Sequence, residues 1–231
     1  MQHLLLLHGA IGAKDQLLPL ADKLKDNYIV HTLNFSGHGG EKMGAPFSIE
    51  HFANDVLKYI SSKNIDSINI FGYSMGGYVA LYLAKHFPEK INKVFTLATK
   101  FLWTTEIAQR EIKMLDATKI EEKIAAFAEQ LNKRHQPSDW KQVLKQTADM
   151  IIVMGNNNPL SLNDYKTISQ PVLIGIGDKD AMVTLEETIE VYRNLPHANF
   201  IVLPSTQHPI EKVNVDRLTR EIELFFIEGK L

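Results

Sequence analysis

In Gly72-Tyr73-Ser74-Met75-Gly76-Gly77 a serine stands between glycines two positions to either side. Residues 68–71 before it are apolar apart from Asn69, and residues 75–86 after it are rich in small and apolar side chains. A Gly-x-Ser-x-Gly turn between a strand and a helix lifts the serine hydroxyl above the sheet edge, where it can act as a nucleophile. The glycines keep side chains out of a crowded, strained turn. The following helix aims its free N–H groups at the reaction centre and favours developing negative charge there.

A serine hydroxyl needs a base to take its proton. His208, in Leu203-Pro204-Ser205-Thr206-Gln207-His208-Pro209, follows the last apolar run and is the expected base. His197 precedes that run, which puts it at the opposite sheet edge, while His8 and His38 are loop residues with other work. An acid that orients the imidazole should follow the fifth apolar run. Gly177-Asp178-Lys179-Asp180 supplies two carboxylates there, and position alone leaves Asp178 and Asp180 both open. The expected donors to an oxyanion are two main-chain N–H groups. One is that of Met75, after the serine, and the other that of Ala10 in His8-Gly9-Ala10-Ile11-Gly12. Tyr73, Phe101 and Trp103 are candidates for a substrate pocket, and Trp140 is read as packing.

The elements that must position these residues alternate. Short segments rich in apolar residues at 4–7, 29–35, 68–71, 94–97, 171–176 and 200–203 read as near-continuous runs instead of strict alternation, as buried parallel strands require. Helical patterns at 15–25, 49–61, 75–86, 185–194 and 213–227 lie between or after them, the fourth opened by the capping box Thr184-Leu185-Glu186-Glu187. This order predicts an α/β fold, a mostly parallel sheet of about six strands flanked by helices. The rhythm breaks between 100 and 169. There Ile120, Ile124, Phe127 and Leu131 predict one apolar helix face, with flanking helical patterns at 104–115 and 139–150. The segment reads as a small helical cap inserted in a core formed by 1–99 and 170–231, above the strands' C-terminal edge.

Composition limits the function classes. The chain has 231 residues, 45% of them apolar, with a formal charge of −2. Nucleic acid is therefore not an expected partner, since phosphate binding needs a concentrated positive surface. The absence of cysteine excludes thiolate nucleophiles, disulfides and cysteine-based metal sites. No His-Glu-x-x-His pattern, dinucleotide fingerprint or nucleotide-triphosphate loop is present, so neither metal nor cofactor is expected. No run approaches the roughly 20 apolar residues of a membrane span, and a cytoplasmic location is the expectation.

With these residues in view, the chain resembles the small capped serine hydrolases of the α/β-hydrolase superfamily, over nearly its whole length. His8-Gly9, the Ser74 turn, Gly177-Asp178-Lys179-Asp180 and the His208 loop carry the resemblance. It implies that Ser74, Asp180 and His208 form a triad, with Asp180 chosen because the acid usually ends a Gly-x-x-Asp element. It also implies Ala10 and Met75 at the oxyanion hole and a cap at 100–169. The chain departs from many members in carrying Asn34 where they have Asp. The activity implied is carboxylesterase-like, on a small, mostly apolar ester or thioester, by a monomer or homodimer. Carbon–carbon hydrolysis or lyase chemistry in the same pocket, and a non-enzymatic ligand receptor, are the alternatives.

Overall fold

The computed structural model describes residues 1–228. Six strands, β1 (Gln2–Leu7), β2 (Tyr28–Thr32), β3 (Ile68–Tyr73), β4 (Ile91–Leu97), β5 (Val172–Gly177) and β6 (Ala198–Leu203), form one parallel sheet in the order β2-β1-β3-β4-β5-β6. Leu4 to Leu7 are fully buried. Leu5 and Leu7 face one core with Phe52, and Leu4 and Leu6 face the other with Phe71 and Phe226. Helices on both faces explain why these runs are near-continuous instead of alternating.

Helices α1 (Leu18–Leu24), α2 (Ile49–Ser62), α3 (Met75–His86), α9 (Leu185–Asn194) and α10 (Val215–Glu223) surround the sheet. Between β4 and β5 lie α4 (Thr105–Glu111), α5 (Ala117–Lys123), α6 (Ala125–His135), α7 (Trp140–Asn156) and α8 (Leu162–Tyr165). Trp140 packs with Ile120, Leu131 and Leu144 in a core of this segment. The strand order reverses between β1 and β3, so the loops after these two strands open into one crevice at their carboxyl ends.

Four predicted elements end differently. The second strand stops at Thr32, because the Phe35 N–H is given to the His8 ring and the Asn34 side chain bonds Lys14 N and Gly39 O. Residues 15–25 form a 3₁₀ turn over Lys14–Leu17 and then α1, with Pro19, which has no N–H to donate, in its first turn. The apolar face expected over 120–131 is broken at Ile124, which is 55% exposed and leaves helical geometry between α5 and α6. The last helix starts at Val215 under an Asn214 cap and loosens into a π turn over Leu224–Glu228.

Candidate active site

Ser74 is the single residue between β3 and α3. It has φ 51° and ψ −118°, a conformation that costs a non-glycine residue on the order of 1–3 kcal/mol. Its N–H bonds Leu97 O at 2.8 Å, and its carbonyl accepts from Gly77 N and Thr99 Oγ1, both at 3.0 Å. Glycines make the turn possible. A Cβ on Gly76 would lie 2.5 Å from Leu7 O, and one on Gly72 would lie 2.5 Å from the Gly76 backbone.

His208 follows β6 and is buried. Its Nδ1 lies 2.8 Å from Asp180 Oδ2, so the other ring nitrogen is left to exchange a proton. Burial pushes the Asp180 carboxyl up. The His208 ring and the amides of Val183 and Met182 more than offset this, leaving its pKa below the ordinary carboxylate value. Asp178 does something else: its Oδ1 accepts the Thr206 N–H at 3.0 Å, tying the end of β5 to the loop after β6. His197 stands at the start of β6, away from this edge, and its carbonyl accepts the Val172 N–H.

One cavity of about 550 Å³ collects Ser74, His208, Ala10 and Met75 on its lining. Met75 is the first residue of α3, so its own N–H has no intrahelical acceptor. Gly9 approaches so closely that a Cβ there would lie 3.1 Å from Ser74 Cβ. Most of the remaining wall is apolar, and five of the chain's seven methionines (Met75, Met114, Met150, Met154 and Met182) contribute to it. Tyr73 and Trp103 line the cavity, and the Tyr73 ring packs 5.6 Å from that of His208. Phe101 is a correction. Among the described lining residues it has no place; it is buried against Tyr165, at a ring separation of 6.0 Å, and serves the main core.

Sequence reading missed a set of polar residues around this cavity. Lys100 Nζ lies 3.6 Å from Glu187 and 4.0 Å from Glu111, and donates to Met182 O at 3.0 Å. Glu187 Oε1 accepts the N–H groups of Phe101 and Leu102, and its Oε2 accepts from Thr184. The capping box marked Glu187 as a helix start, but its reach to residues 86 positions away had no local signature. Arg134, at the end of α6, bonds Asp15 at 3.2 Å and Glu211 at 3.4 Å. No helix among the described residues is long and apolar enough to cross a membrane.

The family described as the alpha/beta hydrolase fold matches residues 2–134. A pimeloyl-[acyl-carrier protein] methyl ester esterase of Neisseria meningitidis serogroup C is 25% identical over 224 residues, covering 88% of this chain and 85% of that one. Among solved structures, MenH from S. aureus is similar with a TM-score of 0.79 and 22% identity, over 100% of this chain and 95% of that one. A thermophilic esterase from Thermogutta terrifontis is similar with a TM-score of 0.79 and 20% identity, over 100% and 91%. The parallel sheet, the serine turn after β3 and the family match over more than half the sequence agree: this chain belongs to the α/β-hydrolase fold family.

Proposed function

We propose that this hydrolase cleaves a carboxylic ester or thioester of a small, mostly apolar substrate through an acyl-enzyme. The observation that carries the reading is the Asp180–His208 hydrogen bond, in a cavity that also holds Ser74 at a strained strand-to-helix turn. Similarity to a methyl ester esterase favours an ester over other acyl derivatives. Ser74 Oγ attacks the carbonyl carbon while the His208 ring takes its proton. The carbonyl oxygen becomes an oxyanion held by the Ala10 and Met75 N–H groups. Collapse breaks the bond to the alcohol or thiol, which leaves with the proton from His208. Water, deprotonated by His208, then attacks the Ser74 ester and releases the acid. Asp180 keeps the imidazole in the useful tautomer and stabilises its cation.

Residues 100–169 act as a cap in this reading, supplying Trp103, Met114, Met150 and Met154 to the acyl side of the cavity. Methionine walls adapt to flexible chains, which suits an uncharged aliphatic acyl group. The test is labelling with a fluorophosphonate, read by intact mass. The expected result is one adduct per chain, absent in S74A and strongly slowed in H208A. Stoichiometric labelling that survives in S74A would remove the nucleophile assignment.

A further inference from the structure

His135, the last residue of α6, is fully buried and uses both ring nitrogens. The Gly39 N–H donates to Nδ1 at 3.1 Å, so the ring proton sits on Nε2, which donates to Ile11 O at 3.0 Å. Burial, with the Arg134 charge beside it, lowers the ring's pKa and favours this neutral form. Ile11 is a β-branched residue at φ 51°, a conformation that persists only where its surroundings impose it. From inside, the turn is closed by the Gly12 N–H on Gly9 O at 3.2 Å. From outside, it is held by His135. The adjacent Arg134 spans Asp15, four residues beyond Ile11, and Glu211, three residues beyond His208. The end of α6 therefore grips the chain on both sides of the cavity.

We infer that His135 is a positioning residue by which the helical segment between β4 and β5 fixes the Gly9–Gly12 turn and aims the Ala10 N–H. It touches no reacting atom in this scheme. The inference rests on the reading of Ala10 as an oxyanion donor, and its consequence is kinetic. A turn that drifts loses transition-state stabilisation while the apolar walls that bind the acyl group stay in place.

The experiment compares wild type, H135L and H135Q as full chains, by p-nitrophenyl ester hydrolysis and by amide hydrogen exchange. Leucine fills the space without either hydrogen bond, whereas glutamine can both donate and accept. H135L is expected to lose roughly 10- to 100-fold in kcat with KM changed by less than about threefold. Exchange should accelerate in residues 9–12 and at Gly39, with the amides of β3 unchanged. H135Q should recover much of both effects. If H135L does not fold, H135N takes its place, since its shorter side chain cannot span both partners. Wild-type exchange at 9–12 in the folded variant would overturn the inference, as would a change carried by KM alone. Absence of Ser74-dependent turnover in wild type would instead defeat the nucleophile reading, and the exchange rates would still decide whether His135 holds the turn.

Discussion

Asp180 and His208 are joined through Oδ2 and Nδ1 at 2.8 Å, whereas Asp178, two residues earlier, is spent on the Thr206 backbone. The two aspartates share a loop but not a task. D180N is expected to lower kcat by roughly 10³–10⁴-fold, because an amide cannot stabilise the imidazolium and favours the wrong tautomer. D178N keeps an oxygen that can accept the Thr206 N–H, and its kcat should stay within a few-fold of wild type. Ester hydrolysis by both variants checks this, and the reverse ranking would transfer the acid's role to Asp178.

Ser74 combines the nucleophile with backbone strain, and the two can be separated. S74A should abolish turnover with little change in stability, since it removes a hydroxyl and keeps the Cβ at φ 51°. S74G should be equally inactive yet about 1 kcal/mol more stable than S74A, because glycine adopts positive φ at little steric cost. Urea denaturation of the two inactive variants provides the comparison. Equal midpoints would show that the turn carries no usable strain.

The elbow glycines differ from surface glycine in what surrounds them. A methyl group on Gly76 would meet Leu7 O at 2.5 Å and His8 O at 2.7 Å, both backbone atoms that cannot step aside. On Gly44 the nearest atom is His51 Nε2 at 3.7 Å. G76A is expected to cost about 1–3 kcal/mol or more and to disturb labelling of Ser74. G44A should be neutral or stabilising by up to about 1 kcal/mol, through a less flexible unfolded chain. Thermal melting of both variants distinguishes backbone collision from a general intolerance of alanine.

These cases also show what local sequence can reveal. The Ser74 turn, the six strands and the α9 start were readable because each has a short-range physical cause: a glycine pattern, burial on both sheet faces, or the Thr184–Glu187 cap. Ile124 misled because its spacing fits a helix face that the chain leaves at that residue. Phe101 misled because position after β4 fixes where a residue starts but not which core its ring enters. The tertiary partners of Glu187 (apart from its local cap with Thr184), Arg134 and His135 lie 77 to 124 positions away, so nothing in their own neighbourhoods announced those contacts.

Glu187 is the buried carboxylate that joins α9 to the start of the helical insertion. Its oxygens accept two N–H groups from residues 101 and 102 and two donors from Thr184, with Lys100 3.6 Å away. E187A strands those donors and leaves Lys100 with Glu111 at 4.0 Å. A loss of roughly 3–5 kcal/mol is expected. For a chain of this size that is a fall in Tm of about 6–20 °C. E187Q should also be destabilised, because one face of its amide presents N–H groups where N–H donors already point. A Tm within about 2 °C of wild type for both variants would contradict the assigned role.

His8 sets the expected response to acid. It is fully buried, donates from Nδ1 to Gly9 O at 2.8 Å and accepts the Phe35 N–H on Nε2 at 3.2 Å. Burial takes its pKa from 6.5 down to about 3 despite the Gly9 bond, with the Arg134 charge, and the His135 ring whenever it is protonated, adding to the fall. The unfolded chain therefore binds this proton first. Stability from keeping His8 neutral is full above pH 6.5 and declines steadily as pH falls toward 3. Over that window the loss from this residue is on the order of 4 kcal/mol. His31, His38 and His135 are also lowered by burial and steepen the decline. Comparison with H8Q isolates the one group: its urea midpoint should fall less between pH 7 and pH 4 than that of wild type. Parallel curves for the two proteins would mean that His8 already carries its proton in the fold, with the Phe35 N–H bond broken.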